Sequence, residues 1–165
     1  INRKLVEFDL SIITLPQAAT TTSPAPTLPG GTCTGCVQVG VTHKAHPLGC
    51  APTLGRCVVA PAVNTKLLAL KASYPQFLVT EAYPPTRAHA NACHQSGTCV
   101  DATLTVSNNP ENIKNFISRA SSAGFTPVFE TTSEQRADFL RKDTGLSATQ
   151  IRYVPGITGE HFSLY

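Results

Sequence analysis

Six cysteines constrain this chain of 165 residues more than any other feature of its sequence. They are Cys33, Cys36, Cys50, Cys57, Cys93 and Cys99. An even set of cysteines in a small chain is typical of the disulfide framework of an exported protein. The sequence therefore predicts an extracellular, periplasmic or cell-surface location. Six cysteines allow about fifteen pairings, so the connectivity stays open, with a short bridge from Cys93 to Cys99 as the best single pairing.

A structural zinc site is the alternative use of part of this set. Cys33 and Cys36 are followed by His43 and His46, and four such ligands at this spacing can hold zinc. Disulfides are the favoured interpretation because all six cysteines can pair over short loops.

The composition predicts one globular domain and excludes two classes of partner. Hydrophobic residues make up 41% of the chain and charged residues 14%, which is typical of a folded protein with little surface charge. The net charge of +3 comes without a cluster of Lys and Arg, so we expect no nucleic-acid partner. No apolar run is long enough to predict a membrane span. The chain begins with Ile1, which indicates either a removed leader or a piece of a longer protein.

The chain divides into three segments. The pattern of residues 1–32 predicts a leader. Apolar residues alternate with polar ones over residues 1–14, as in a strand, and a tether rich in Pro, Thr, Ser and Ala follows. Residues 33–61 are rich in cysteine and irregular, and residues 62–165 form the regular domain. The leader is either flexible or a strand that pairs with an open sheet edge of its own domain or of a neighbouring copy.

Within the regular domain, strand and helix patterns mix without a βαβ repeat. Apolar residues at helical spacing begin at Val63 and stop at Pro75. Further helices are expected from Asn109 to Gly124, and over 132–142 with Thr132 and Gln135 as a capping box. Strands are expected over 77–83, 98–106, 126–130, 150–154 and 160–164. This order predicts an α+β fold with a central, mainly antiparallel sheet flanked by helices.

The run from His94 to Asp101 carries the main chemical signal. An imidazole and a carboxylate stand seven residues apart across Gly97, and a second imidazole, His161, lies near the end of the chain. Two histidines and one aspartate can fill three corners of a zinc tetrahedron and leave the fourth for water. A turn at Gly97 would return the strand beside His94, and a central antiparallel sheet would bring His161 alongside Asp101.

These residues resemble a known family. The pattern His94-x-x-Gly97-x-Cys99-x-Asp101 is similar to the zinc motif of D-Ala-D-Ala carboxypeptidases, whose fold the signalling domains of hedgehog proteins share. The resemblance covers about residues 62–165. It implies a zinc metallopeptidase with His94, Asp101 and His161 as metal ligands. It also implies that the substrate is a peptidoglycan peptide or another cell-wall component.

The catalytic residues are less clearly marked than the metal ligands. The family places an acid a few residues before its last histidine, whereas Thr158 and Gly159 stand there in this chain and Glu160 is the adjacent acid. Alternation along a strand predicts that Glu160 and His161 point to opposite faces. Glu160 is the candidate general base, and Arg87 and His89 are candidates for contacting the substrate or its oxyanion.

Two other classes of function fit the same features. The chain could be a non-catalytic surface or filament protein that keeps the fold as a scaffold and assembles through residues 1–14. It could also be a module that binds cell-wall peptide or glycan in the same cleft without turnover.

Overall fold

The structure is a computed structural model, and it describes residues 33–44, 50, 57–86 and 91–165. The leader strand and tether predicted for residues 1–32 lie outside these residues, as do Arg87, His89 and His46. Within the described part of the chain, no helix is long and apolar enough to cross a membrane.

A five-stranded sheet forms the centre of the fold. Its strands are β3 (Phe77–Glu81), β4 (Val100–Leu104), β5 (Pro127–Thr131), β6 (Ile151–Tyr153) and β7 (His161–Leu164). They lie in the order β3-β4-β7-β5-β6, so the last strand of the chain is inserted between β4 and β5. All neighbours are antiparallel except β5 and β6, which are parallel.

The sheet is therefore mixed. The predicted α+β fold with helices flanking a central sheet is confirmed, and the sheet contains one parallel pair beside its antiparallel pairs. The parallel pair arises because a helix, α4 (Glu134–Thr144), connects β5 to β6 and returns the chain in the same direction. Parallel neighbours need a crossover connection of this kind.

Three long helices flank the sheet. They are α1 (Pro61–Ser73), α3 (Pro110–Ser122) and α4, and a single short turn, α2 (Cys93–Ser96), precedes β4. The predicted cap of α3 is confirmed, since the side chain of Asn109 accepts a hydrogen bond from the backbone N–H of Asn112. The predicted capping box of α4 is wrong by one residue: Ser133, not Thr132, caps the helix by accepting from the N–H of Arg136.

One apolar core joins these helices to one face of the sheet. Phe116 of α3 packs against Phe77 of β3 and Phe162 of β7, and Phe162 packs in turn against Phe129 of β5. Side chains alternate between the two faces of a strand. The neighbours of these phenylalanines in the strands therefore point to the opposite face, and this second face carries the polar residues described below.

The described part of the cysteine-rich segment packs on the same core. It contains two short paired strands, β1 (Val37–Gln38) and β2 (Val58–Val59), and it buries Val39, Val41 and Val59. The cysteines pair as Cys33–Cys36, Cys50–Cys57 and Cys93–Cys99. The disulfide framework and the Cys93–Cys99 bridge are thus confirmed. The alternative zinc site at Cys33 and Cys36 is wrong, because the two sulfur atoms are bonded to each other.

Candidate metal centre

Asp101 lies at the middle of the polar sheet face. The apolar residues Val100 and Ala102 point into the core, so Asp101 between them points to the other side, as the alternation predicts. It pairs with Ser163 across β4 and β7, and the Ser163 hydroxyl donates a hydrogen bond of 3.1 Å to Oδ1 of Asp101. Only 6% of Asp101 is exposed. A buried carboxylate of this kind needs partners that offset its lost hydration.

His94 approaches Asp101 from the short helix α2. Its Nε2 atom lies 3.4 Å from Oδ1 of Asp101, and only 2% of the residue is exposed. The helical turn ends at Gly97, which has a left-handed backbone with φ of 68°, and the Cys93–Cys99 disulfide closes the loop around it. This turn brings the chain back into β4 beside the imidazole, as the sequence predicts.

Gly97 also allows this loop to pack closely against the cysteine-rich segment. A Cβ atom added at Gly97 would lie inside the van der Waals distance of the sulfur atoms of Cys33 and Cys36. The carbonyl of Gly97 accepts a hydrogen bond of 2.9 Å from the N–H of Ala60. Glycine is thus required at this position both by the backbone conformation and by the close approach of the Cys33–Cys36 disulfide.

His161 faces Asp101 from β7. Its Nε2 atom lies 3.9 Å from Oδ2 of Asp101. Its Nδ1 atom lies 2.9 Å from the carbonyl oxygen of Gly159. A carbonyl can only accept, so Nδ1 carries the proton and, in the neutral ring, Nε2 carries the lone pair. A histidine that ligates a metal is usually oriented in this way by its second nitrogen.

Glu130 is a further acid at this site that was not predicted from the sequence. It lies on β5 directly opposite His161, and its Oε2 atom is 3.5 Å from Nε2 of His161. Only 6% of Glu130 is exposed. Alternation with Phe129 places Glu130 on the polar sheet face, but no motif marks it in the sequence. Only the pairing of β5 with β7 reveals its position.

Arg152 holds the other oxygen of Glu130. Its guanidinium group donates to Oε1 of Glu130 from both Nε and Nη2, and Nη2 also reaches the hydroxyl of Tyr165 at 3.3 Å. The hydrogen bond to Glu130 raises the pKa of Arg152, against the opposing effect of burial. Oε1 of Glu130 therefore contacts the guanidinium group of Arg152, and Oε2 lies near the imidazole of His161.

Two carboxylate oxygens thus lie near the imidazole of His161. Oδ2 of Asp101 is 3.9 Å from Nε2 of His161, and Oε2 of Glu130 is 3.5 Å from the same atom. His161 therefore links two acids that lie on different strands, Asp101 on β4 and Glu130 on β5.

A group of possible metal ligands in the described part of the chain contains His94 but not Asp101, His161 or Glu130. The ligand atoms of Cys93, His94 and Cys99 lie within 4.8 Å of one another and could hold a metal ion. The two cysteines form a disulfide in this structure, however, and only a thiolate is an effective metal ligand. In the oxidised chain, these two cysteines are therefore not effective metal ligands.

Glu160 is held away from this site. Its carboxylate forms an ion pair with Arg136 of α4 and accepts a hydrogen bond of 2.8 Å from the hydroxyl of Thr131. Thr131 alternates with Glu130 and so lies on the helix-covered face, in agreement with the predicted orientation of Glu160. Burial by itself raises the pKa of Glu160, but the hydrogen bonds from Arg136 and Thr131 outweigh it, so the pKa lies below its ordinary value.

The predicted site residues therefore fall into three groups. His94 and His161 lie 3.4 Å and 3.9 Å from different oxygens of Asp101, and the role of these three residues as metal ligands stays a prediction. Glu160 is adjacent to His161 in sequence, but the bonds described for it lead to α4 and β5 rather than to Asp101 or His94. Arg87 and His89 lie outside the described residues, so their roles stay predictions.

Comparison of the chain with protein-family models, with curated proteins and with solved structures finds no match.

Proposed function

We propose that this chain is an exported zinc-binding domain of the D-Ala-D-Ala peptidase and hedgehog type that hydrolyses peptide bonds in peptidoglycan. The observation that carries the proposal is the convergence of His94 and His161 on the two oxygens of Asp101. These three residues come from α2, β7 and β4, and two imidazoles and one carboxylate are a common ligand set of catalytic zinc.

Each histidine lies near one oxygen of Asp101, at a separation close to that expected of two ligands on one zinc ion. Zinc bonds of about 2.0–2.2 Å at the tetrahedral angle separate neighbouring ligand atoms by roughly 3.3–3.6 Å. The separation of His94 and Asp101 is 3.4 Å, and that of His161 and Asp101 is slightly longer at 3.9 Å. The hydrogen bond from His161 to Gly159 adds the second-shell contact that zinc ligands commonly have.

A zinc ion at this site would acidify a water for attack on a peptide carbonyl and polarise the carbonyl oxygen. The chain's own residues would position the metal and the substrate. The Cys93–Cys99 disulfide and Gly97 fix the loop that carries His94. Arg87 and His89 are the candidates for contacting the substrate, and Glu160 is the candidate base that the family resemblance implies. Three disulfides support an extracellular, periplasmic or cell-surface location.

Metal binding and hydrolysis are tested separately. Protein freed of metal with a chelator is titrated with Zn²⁺ by calorimetry, alongside the Asp101→Asn and His161→Ala variants. The metal centre is supported if the wild-type chain binds about one equivalent of Zn²⁺ and both variants bind it much more weakly. It is refuted if the wild-type chain binds no Zn²⁺. The zinc-loaded chain is then incubated with purified muropeptides. Release of D-Ala or of a cleaved stem peptide supports the peptidase, and no release by fully loaded protein refutes it.

A second candidate function is supported by the edge of the sheet. Strand β6 pairs with β5 on one side, and among the described residues no strand pairs with its other side. Tyr153 of β6 is 41% exposed. An open edge with an exposed aromatic residue is a site for strand addition. The strand predicted to add to this edge is formed by residues 1–14 of a second copy. The chain would then be a surface protein that self-assembles, and the metal centre would stabilise its fold.

A further inference from the structure

We propose that Cys93, His94 and Cys99 form a second metal site when the Cys93–Cys99 disulfide is reduced, with two thiolates and one imidazole as ligands of a zinc ion. The ligand atoms of these three residues lie within 4.8 Å of one another. Two cysteines and one histidine are a known ligand set of zinc, and they leave the fourth position for water. The site itself does not depend on the proposed metal centre at Asp101.

The loop can accept an ion without a new path of its backbone. Two thiolates at about 2.3 Å from one zinc ion, at the tetrahedral angle, are separated by roughly 3.8 Å. That separation is smaller than the 4.8 Å within which the three ligand atoms lie. Once the disulfide bond has opened, movement of the two cysteine side chains is therefore sufficient to form the site.

Backbone hydrogen bonds keep the two cysteines close to each other without the disulfide. The carbonyl oxygen of Cys93 accepts a hydrogen bond from the N–H of Gly97 and another, of 3.0 Å, from the N–H of Thr98. Cys99 follows directly and leads into β4. The turn is thus closed by the same carbonyl that begins it, so the reduced loop keeps both thiols beside His94.

The burial of the three residues suits a bound ion. Cys99 is fully buried, and only 2% of His94 is exposed. Cys93 is partly exposed and gives a reductant and an ion access to the loop. Ligands that are shielded on one side and open on the other hold an ion while a water occupies its remaining position.

The site forms in a two-electron step. A dithiol reductant gives two electrons and two protons to the Cys93–Cys99 bond, which breaks into two thiols while the reductant becomes a disulfide. Zinc then binds both sulfur atoms as thiolates, and the two thiol protons pass to the solvent. A chain whose cysteines have not yet been oxidised offers the same site. Oxidation of the loop removes the two thiolates and releases the ion.

His94 connects this site to the proposed metal centre. A neutral imidazole has one lone pair, so His94 can bind an ion at Cys93 and Cys99 or an ion beside Asp101, but not both. Formation of the disulfide would therefore transfer His94 to the centre at Asp101 and complete the hydrolase site. Only this consequence rests on the proposed function.

Cobalt tests the site without reference to activity, because bonds from thiolates to Co²⁺ give an intense near-ultraviolet absorption that nitrogen and oxygen ligands do not give. The full chain is reduced with a dithiol, separated from the reductant under nitrogen and titrated with Co²⁺ beside the oxidised chain. We expect the absorption band in the reduced chain, its absence in the oxidised chain, and its loss when Zn²⁺ displaces Co²⁺.

Two double variants assign the band to its sulfur atoms. Replacement of Cys93 and Cys99 by serine should abolish it. Replacement of Cys33 and Cys36 by serine is the matched control, because these sulfur atoms also lie close to the loop at Gly97, and it should keep the band. No band in the reduced wild-type chain, or a band unchanged by the replacement of Cys93 and Cys99, overturns the inference.

Folding of the reduced chain gives a second measurement. If reduction unfolds the chain, Zn²⁺ should restore the helical circular dichroism of the wild-type chain but not that of the variant without Cys93 and Cys99, because metal binding is coupled to folding. Failure of Zn²⁺ to restore it in the wild-type chain also overturns the inference.

The variant Asp101→Asn distinguishes the two metal sites. It should keep the cobalt band of the reduced chain, and it should lose the Zn²⁺ binding that the proposed function predicts for the oxidised chain. If the oxidised wild-type chain binds no Zn²⁺ while the reduced chain shows the band, the proposed centre fails and the site at Cys93, His94 and Cys99 stands.

Discussion

The imidazole of His94 lies 3.4 Å from the carboxylate of Asp101, in a chain segment that reverses within seven residues. One helical turn, the left-handed Gly97 and the Cys93–Cys99 disulfide together produce this reversal. The loop thus holds His94 against Asp101 without support from a long helix or strand. Its rigidity depends on covalent and steric constraints that can be removed one at a time.

Removing the disulfide next to His94 should weaken both folding and metal binding. For Cys93→Ser with Cys99→Ser, we expect the free energy of unfolding to fall by about 2 kcal/mol, because a loop of this size gains that much freedom in the unfolded chain. Affinity for Zn²⁺ should fall as well, since the loop that carries His94 is no longer fixed. Denaturant unfolding and calorimetric titration measure the two effects.

The matched control is the double replacement of Cys50 and Cys57 by serine, which opens a loop of similar length. It should cost comparable stability and leave zinc affinity unchanged. Equal losses of zinc affinity in both double variants would show that the Cys93–Cys99 disulfide has no special role in positioning His94.

Gly97 should be far less tolerant of substitution than another glycine with the same backbone. Gly97 and Gly145 have φ angles of 68° and 73°, but a Cβ at Gly145 would meet no atom within 4 Å, whereas at Gly97 it would collide with Cys33 and Cys36. Gly145→Ala should cost about 1–2 kcal/mol for the left-handed conformation. Gly97→Ala should cost at least about 1 kcal/mol more, because the disulfide must shift. Chemical denaturation of both variants measures the difference, and equal losses would contradict the close packing.

Tyr74 should reduce the stability of the chain at high pH. Its hydroxyl is buried and, among the described residues, has no hydrogen-bond partner, while its ring packs against Phe116. Burial raises the pKa of Tyr74 above its ordinary value of 10.0. The folded pKa exceeds the unfolded one, so this contribution to stability is complete below pH 10.0 and is lost as the pH rises through the raised folded pKa.

The variant Tyr74→Phe tests this effect. It keeps the ring contact and removes the unpaired hydroxyl, so we expect a gain of up to about 1 kcal/mol near neutral pH. The loss of stability above pH 10.0 should be smaller than in the wild-type chain. Thermal unfolding across this pH range provides the measurement, and an unchanged alkaline slope would refute the assignment to Tyr74.

Self-assembly should depend on the leader and on the edge of β6. We expect the full chain to form larger particles in light scattering than a version that lacks residues 1–30, because the leader strand adds to the open edge of a second copy. Tyr153→Lys places a charge on that edge and should reduce assembly in the same way. If the full chain and the shortened version are both monomeric, the assembly function loses its basis.

Local features of the fold could be predicted from the sequence. The apolar spacing of Val63, Leu67 and Leu70 predicts α1, and Asn109 marks the start of α3, because helix periodicity and capping depend on neighbouring residues. The alternation along β4 correctly places Asp101 on the face away from the core. The parallel pairing of β6 with β5 was not predicted, because strand direction depends on how the connecting helix packs.

The sequence by itself determined the ligand types at the candidate metal centre: His94 and Asp101 stand at a recognisable spacing, and His161 follows on a strand. The tertiary structure decided which acids lie beside His161. Because β7 is inserted between β4 and β5, His161 lies beside Asp101 on one side and Glu130 on the other. Glu160, although adjacent to His161 in sequence, is turned to Arg136. A contact between strands far apart in sequence depends on their order in the sheet, and no local pattern encodes that order.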